Sequence, residues 1–222
     1  MQKFRGIILD VDGTLVDSND AHARAWAEAF GEAGHDVAAS AVKPLIGMGG
    51  DKLVPALTGV AADSPEGERL RCRHGEIFRS RYLPGLKALP GARALVQRLQ
   101  EAGLKVVVGS SAKREELDPL LEVAGVADLI AQTTSASDAE NSKPEPDIVS
   151  AALSQLRLPP EAVVMLGDTP YDEEAARRAG VALIAVESGG WKAAEFESPI
   201  AVYAHPADMV AHFEASPLAG GG

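Results

Sequence analysis

The stretch ILDVDGTLVDS, residues 8–18, decides the fold. Together with Ile7 it opens on a short continuous apolar run, which is typical of a strand that helices cover on both faces. The run predicts a first strand over residues 5–9. Two carboxylates, Asp10 and Asp12, follow it directly, and a glycine and a threonine come next. The strand therefore delivers two acidic side chains to one point at its C-terminal end.

Composition predicts a soluble protein. The chain has 222 residues, 46% hydrophobic and 24% charged, which suits one domain, alone or with a smaller inserted one. No stretch has the apolar length of a membrane span, and the first residues do not resemble a signal peptide. Cys72 is the single cysteine, so no disulfide can form within the chain. We expect a cytoplasmic monomer.

The net charge of −11 argues against binding of nucleic acid or of an anionic membrane, because both require basic surfaces. It does not exclude a small anionic substrate, since the field inside a cleft can oppose that of the whole protein. We therefore expect a small-molecule partner, with no nucleic acid and no membrane.

After residue 90 the pattern alternates between helices and short apolar strands. Helices are predicted over residues 92–102, 114–123, 145–156 and 172–179, and strands over 105–108, 129–131, 163–166, 182–186 and 202–203. This order is typical of a doubly wound parallel sheet, so we predict an α/β, Rossmann-like core formed by residues 1–15 and 85–218. A short flexible tail, 219–222, is expected to end the chain.

Residues 16–84 show no strand pattern and are predicted to form an all-helical cap domain inserted after the first strand. Trp26, Phe30 and several alanines recur at three- and four-residue spacing, which predicts an amphipathic helix up to about Gly34 with both aromatic rings in the cap core. Further helices are predicted over 39–46, 52–57 and 65–82. The segment RLRCRHGE, 69–76, is interpreted as a solvated basic helix face with a structural thiol at Cys72.

Polar residues cluster where the predicted strands end, which is where sites form in open α/β sheets. The side chains expected to converge at this edge are Asp10, Asp12, Asp168, Ser110 and Lys143. Clustered carboxylates repel unless a cation offsets them, and an oxygen-only cluster suits Mg²⁺, which leaves room for a phosphate oxygen. Ser110, Lys143 and backbone N–H groups near Ser111 and Asp12 are expected to bind the other phosphate oxygens. One aspartate can then attack phosphorus while another moves protons.

Four motifs, in order, carry a family resemblance across about residues 3–213: DVDGT, VVVGSS, SKPEPD and GDTPYD. Together they resemble the haloacid dehalogenase superfamily, in its phosphatase branch with a small helical cap, which includes phosphoglycolate phosphatases and beta-phosphoglucomutase-like proteins. The resemblance implies that Asp10 is the nucleophile and a ligand of Mg²⁺, and that Asp168 is a second ligand. It implies that Asp12 is the general acid and base, with its backbone carbonyl on the metal.

The same resemblance assigns roles to the supporting residues. Thr14 steadies the loop between the two aspartates, Ser110 binds phosphate, and Lys143 neutralises the nucleophile and the phosphate. Asp172 is the second acid of motif four and a partner for Lys143. Two simpler interpretations stay open: Ser110 as the N-cap of the following helix, and Asp172 as an acid that stabilises a helix N-terminus.

In the cap, the loop LIGMGGDKL, 45–53, resembles the loop that sets specificity in such enzymes. Contacts with the substrate are expected from its glycines, Gly47, Gly49 and Gly50. Hexose-phosphate mutases carry an arginine for the distal phosphate at the position of Gly50, and Lys52 either compensates for its absence or faces solvent. His22 either approaches the general acid and base or is an exposed helix histidine.

The sequence thus favours a Mg²⁺-dependent phosphatase that hydrolyses a small phosphomonoester, of the phosphoglycolate or sugar-phosphate type, through an aspartyl-phosphate. Asp12 disfavours the dehalogenase and phosphonate-cleaving branches. A phosphomutase remains an alternative, although its fourth motif usually begins with Glu-Asp where this chain has Gly167-Asp168. A non-catalytic small-ligand-binding protein on the same scaffold is the more distant alternative.

Overall fold

The computed structural model describes residues 4–219, and its centre is a six-stranded parallel sheet in the order β3-β2-β1-β4-β5-β6. The strands are β1 (Gly6–Leu9), β2 (Lys105–Gly109), β3 (Thr133–Thr134), β4 (Val163–Gly167), β5 (Ala182–Val186) and β6 (Ala201–Tyr203). Leu9 at the end of β1 pairs with Val108 on one side and Leu166 on the other. Because these strands run parallel and in register, the residues that follow them meet at one edge of the sheet. The predicted doubly wound parallel sheet is confirmed.

Helices cover both faces of the sheet. The core helices are α5 (Ala92–Glu101), α6 (Arg114–Val123), α7 (Asp147–Leu156), α8 (Pro170–Arg178) and α9 (Pro206–Ala211). Ile7 and Leu9 pack with residues of α5, α6 and α9, whereas Ile8 packs with residues of α7 and α8. Successive strand residues point to opposite faces, so an unbroken apolar strand supplies both cores.

Between β1 and β2 the chain forms the helical cap. Its helices are α1 (Asn19–Glu32), α2 (Ala39–Val42), α3 (Gly50–Thr58) and α4 (Pro65–Ile77), and 3₁₀ turns follow at Lys43–Leu45 and Leu83–Gly85. Trp26 and Phe30 of α1 pack with apolar residues of α2, α3 and α4 in a cap core of their own. Their predicted burial is confirmed, with exposed fractions of 6% and 0%.

The two chain crossings that connect the cap to the core pair with each other. Val16 and Ala88 form an antiparallel bridge, the amide of Asp17 donates to the carbonyl of Lys87 at 3.1 Å, and that of Leu89 to Leu15 at 2.8 Å. The cap therefore enters and leaves the core through one small two-stranded joint.

Several sequence-based boundaries differ from the structure. The predicted strand over 129–131 is wrong: that region forms turns in which the amides of Leu129 and Ile130 donate to Val126, and the edge strand β3 lies at Thr133–Thr134. The apolar character of Leu129 and Ile130 instead serves packing against the core. The predicted helix over 65–82 ends at Ile77 and continues as a π-helical segment, Phe78–Tyr82.

Two further expectations concern the surface. Cys72 is exposed, so its interpretation as a structural thiol is wrong. Residues 220–222 of the predicted flexible tail lie outside the described residues. Within residues 4–219, no helix is both long and apolar enough to cross a lipid bilayer.

The substitution Phe30→Ala tests how much the packing of the cap core contributes to stability. Because its ring is fully buried, we expect Phe30→Ala to lower the free energy of unfolding by about 3–5 kcal/mol, measured by urea denaturation. Arg24→Ala removes an exposed side chain from the same helix and should change this energy by less than about 0.5 kcal/mol. Equal effects of the two substitutions would contradict the packing described for the cap.

Candidate active site

Three carboxylates meet where β1 and β4 end. Oxygens of Asp10, Asp168 and Asp172 lie within 4.8 Å of one another, and all three residues are buried. Asp10 follows β1, Asp168 follows β4, and Asp172 lies in the first turn of α8. The hydroxyl of Thr14 donates to Asp10 Oδ2 and to Asp168 Oδ1, each at 3.2 Å. Thr14 thus links the carboxylates of Asp10 and Asp168.

Lys143 balances part of this charge. Its side chain is only 1% exposed, and Nζ lies 2.5 Å from Asp10 Oδ1 and 2.7 Å from Asp172 Oδ1. The other oxygen of Asp172 accepts from the amide and the hydroxyl of Thr169, which completes a capping box at the start of α8. Asp172 therefore lies beside Lys143 and, at the same time, in the first turn of α8.

One lysine does not compensate three buried carboxylates. Burial raises the pKa of Asp10 to about 7; Lys143 opposes this rise, and repulsion from Asp172 and Asp12 adds to it. Burial, with repulsion from Asp10 and Asp172, also raises the pKa of Asp168 well above its ordinary value. A set of buried, hard oxygen donors with excess negative charge fits a divalent cation. Asp10, Asp168 and Asp172 each offer an oxygen to such a cation, and the family resemblance implies Asp10 and Asp168 as its ligands.

Asn19 is a contributor that the sequence reading missed. Its Nδ2 donates to Asp168 Oδ2 at 2.9 Å and to the carbonyl of Gly189 at 3.1 Å. The backbone also approaches Asp168 closely, because a Cβ added to Gly13 or Gly189 would lie 2.1 Å or 1.6 Å from Oδ2. Gly13 has φ +71°, a conformation that favours glycine. Nothing in the sequence around Asn19 indicates this contact, which depends on how α1 leaves the joint.

Asp12 is paired with a cap histidine. Its Oδ1 accepts from the hydroxyl of Ser18 at 2.5 Å and lies 3.0 Å from Nε2 of His22. Burial would raise the pKa of Asp12, but the charge of His22 and hydrogen bonds from His22 and Ser18 lower it below its ordinary value. Burial would lower the pKa of His22, but Asp12 raises it. His22 is 7% exposed, so the alternative of an exposed helix histidine is wrong.

A second histidine, His74, extends this pair. Its Nε2 lies 3.3 Å from Nδ1 of His22, and its ring stacks on Trp26 with centroids 4.1 Å apart. Burial and the charge of His22 hold the pKa of His74 well below its ordinary value, so a neutral His74 can accept a hydrogen bond from His22. His74 was assigned to a solvated basic face, and that was wrong. It lies four residues after the buried Leu70, a spacing that indicates the inner face of α4.

These groups surround a cavity of about 210 Å³ between core and cap. Among the predicted site residues, those that line it are Asp10, Asp12, His22, Ser111, Gly47, Gly49 and Gly50. The hydroxyl of Ser111 is buried and has no hydrogen-bond partner within residues 4–219. A polar group left in this state inside a cavity is suited to a polar ligand.

Four predicted contacts are not among the residues that line the cavity: Thr14, Lys52, Ser110 and Lys143. Ser110 is 1% exposed, and its hydroxyl accepts from the amide of Ala112 at 3.0 Å rather than lining the cavity. The N-cap of α6 is Lys113, so the simpler interpretation of Ser110 as a helix cap is wrong. Lys52 does not line the cavity, whereas the preceding residue, Asp51, does.

The glycine loop closes the cavity by direct contact with the core. The amide of Gly49 donates to the hydroxyl of Ser142 at 3.1 Å, and this hydroxyl donates in turn to Asp51. A Cβ at Gly49 would lie 2.4 Å from Ser142, and one at Gly47 would lie 2.8 Å from Thr169. Only residues without side chains allow the loop to approach this closely, which explains why glycines recur in it.

Comparison with known proteins points to one family. Residues 7–186 match the profile of the haloacid dehalogenase-like hydrolases. The chain is 30% identical over 221 residues to a phosphoglycolate phosphatase of Yersinia pseudotuberculosis, covering 96% of this chain and 93% of that protein. It is 32% identical over 190 residues to the chloroplastic protein SUPPRESSOR OF QUENCHING 1 of Arabidopsis thaliana, of which it spans only 18%.

The fold comparison agrees. A crystal structure of a hydrolase from Pseudomonas syringae superimposes with a TM-score of 0.88 at 28% identity and covers 95% of this chain and 98% of its own. The sheet order, the helical cap and the four motifs with their converged side chains are therefore accounted for together: this chain belongs to the haloacid dehalogenase-like hydrolase family.

Proposed function

We propose that the protein is a Mg²⁺-dependent phosphatase that hydrolyses a small phosphomonoester, of the phosphoglycolate or sugar-phosphate type, through an aspartyl-phosphate on Asp10. One observation carries this proposal. Asp10, held by Lys143, and Asp12, paired with His22, line the same cavity between core and cap. A nucleophile and a proton-transfer group that face one small space are the two elements that hydrolysis through a covalent intermediate requires.

In the first step a carboxylate oxygen of Asp10 attacks phosphorus, and the bond from phosphorus to the leaving oxygen breaks. The leaving oxygen takes up the proton that Asp12 and His22 share across their 3.0 Å contact. This pairing lets Asp12 act as an acid although its own pKa is low, because the imidazolium of His22 stores the proton. The products of this step are an alcohol and an aspartyl-phosphate on Asp10.

In the second step a water molecule attacks phosphorus and gives one proton back to the pair of Asp12 and His22. The bond between phosphorus and Asp10 breaks, which releases inorganic phosphate and restores the carboxylate. Lys143 donates to Asp10 throughout and supports its ionised form. Mg²⁺ held by Asp10 and Asp168, with the backbone carbonyl of Asp12, would offset the charge on the phosphoryl group.

The size of the cavity supports a small substrate. Pockets that enclose a drug-sized ligand have volumes of about 300–1,000 Å³, and this one measures about 210 Å³. The glycine loop and α4 close it from the cap side, so a bound phosphomonoester is shielded from bulk water. Ser111, which lines the cavity, and Lys143, which holds Asp10 at its edge, are the proposed contacts of the phosphoryl oxygens.

Release of inorganic phosphate from a panel of phosphomonoesters, with and without Mg²⁺, tests the proposal. We expect release by the wild type with Mg²⁺, and a loss of more than about 10³-fold in Asp10→Asn, because the amide cannot replace the attacking carboxylate. Asp17→Asn is the matched control, since Asp17 is an exposed carboxylate in the same segment and should be dispensable.

Undiminished release by Asp10→Asn would contradict the covalent mechanism. A phosphomutase would give a different result: with a sugar monophosphate and a catalytic amount of sugar bisphosphate it would form an isomeric sugar phosphate and release little phosphate. Analysis of the products by ³¹P NMR therefore separates the two reactions.

Metal binding is expected to change how the stability of the protein depends on pH. Since the pKa values of Asp10 and Asp168 are raised in the folded protein, the metal-free fold binds protons that the unfolded chain releases above about pH 4. Stability of the metal-free protein should therefore fall as the pH rises from there towards the folded pKa of Asp10, about 7. Mg²⁺ competes with these protons, so its stabilisation should grow as the pH rises.

We expect millimolar MgCl₂ to raise the melting temperature more at about pH 8 than at about pH 5, measured against NaCl of equal ionic strength. Asp168→Asn should remove most of this gain, because it loses a charged ligand. A gain that is equal at both pH values, or one that survives in Asp168→Asn, would place the metal elsewhere.

A further inference from the structure

Two arginines on α4 differ sharply in their surroundings. Arg73 pairs with Glu32 and with Glu76, on the outside of the cap. Arg71, two residues earlier, forms no ion pair with any residue between 4 and 219. Its Nη2 donates to the carbonyl of Ala62 at 3.0 Å, and its Nε is buried without a hydrogen-bond partner among those residues. A buried guanidinium donor without an acceptor is costly, so its retention calls for an explanation.

Arg71 lines the same cavity as Asp10 and Asp12. It reaches this position because Gly50 leaves room for it: a Cβ on Gly50 would stand 3.0 Å from Cγ of Arg71 and 3.0 Å from the ring of Trp26. The glycine loop thus has no side chain at residue 50, and the guanidinium of Arg71 from α4 lies in the cavity beside it.

The acidic residues of the cavity do not neutralise Arg71. Asp51 accepts from the hydroxyl of Ser142, and Glu116 lies 3.3 Å from Nη1 of Arg79. The exposed Lys113 and Glu140 also line the cavity, and neither is within ion-pair distance of Arg71. The positive charge of Arg71 therefore remains available to a ligand in the cavity.

We propose that Arg71 is a specificity-determining residue that binds a second anionic group of the substrate, a carboxylate or a phosphate, on the part distal to the phosphoryl group. The inference rests on the proposed phosphatase function and narrows its substrate class to small phosphomonoesters with two anionic groups. A guanidinium offers a planar fork of donors that matches carboxylate and phosphate oxygens. A neutral hydroxyl would leave the charge of Arg71 uncompensated.

The first experiment compares three probes with the same two-carbon skeleton: 2-phosphoglycolate, 2-hydroxyethyl phosphate and ethylene glycol bisphosphate. We expect the wild type to show a kcat/KM at least about 10-fold higher for an anionic probe than for the neutral one. Arg71→Gln should abolish this preference by raising KM for the anionic probes, while changing kcat/KM for the neutral probe by less than about 3-fold. The better anionic probe shows whether the site prefers carboxylate or phosphate.

Arg73→Gln is the matched control, because it removes an arginine from the same helix without touching the cavity, and it should leave all three values unchanged. Arg71→Lys keeps the charge but loses the fork, so it should retain only part of the preference. A wild type that is indifferent to the distal charge, or an Arg71→Gln variant that loses activity equally on all probes, would overturn the inference.

A binding arm separates failure of this inference from failure of the phosphatase proposal. Calorimetry measures the Kd of 2-phosphoglycolate for Asp10→Asn and for the double variant Asp10→Asn with Arg71→Gln, in the presence of Mg²⁺. We expect the double variant to bind at least about 10-fold more weakly. If no probe is hydrolysed but this difference appears, the phosphatase proposal fails and the role of Arg71 stands. Equal affinities, or no binding by either variant, would overturn the role of Arg71.

Discussion

A single ammonium group, that of Lys143, lies between two buried carboxylates at distances of 2.5 Å and 2.7 Å, and the rest of the site is arranged around it. A buried charge of this kind is tolerable only when its partners are fixed, because loss of either one leaves an uncompensated ion in a medium of low dielectric constant. The fold fixes both partners, since Asp10 ends the central strand and Asp172 is locked into the first turn of α8 by Thr169. The precise placement of Asp10 and Asp172 thus follows from charge compensation.

Parallel register explains why these groups converge. β1 pairs with β2 on one side and with β4 on the other. The C-terminal ends of these three strands therefore cannot shift relative to one another without breaking the hydrogen bonds of the sheet, on which the hydrophobic cores on both faces depend. The cluster that results carries more negative charge than one lysine neutralises, as the raised pKa values of Asp10 and Asp168 indicate. This excess of negative charge favours the binding of a cation. Strand geometry and burial maintain it, rather than a flexible loop.

Much of the core could be predicted from the sequence, because its signals are local. Apolar runs followed by acidic residues mark strand ends, and the pairing of strands then brings Asp10, Lys143 and Asp168 together. The cap was harder to interpret. On α4 five of the eight residues from 69 to 76 are charged or polar, so periodicity alone did not reveal that His74 and Arg71 face inwards while Arg73 faces out. Which face of such a helix is buried is decided by contacts with Trp26 and the glycine loop, and these contacts are distant in sequence.

The strand predicted over 129–131 failed for a related reason. Leu129 and Ile130 are apolar because their turns pack on the core, and a short apolar pair does not distinguish such packing from an edge strand. The functional roles of Asn19 and Ser142 likewise depend on partners more than 90 positions away.

Ser142, the residue next to the buried lysine, is also where the glycine loop of the cap touches the core. The position of the cap loop is therefore coupled to the order of the segment that carries Lys143. Anything that holds the cap down also withdraws conformational freedom from the backbone that carries Lys143. A ligand that holds the cap down would therefore also order the segment whose lysine pairs with Asp10, so that occupancy of the cavity and alignment of Asp10 are linked.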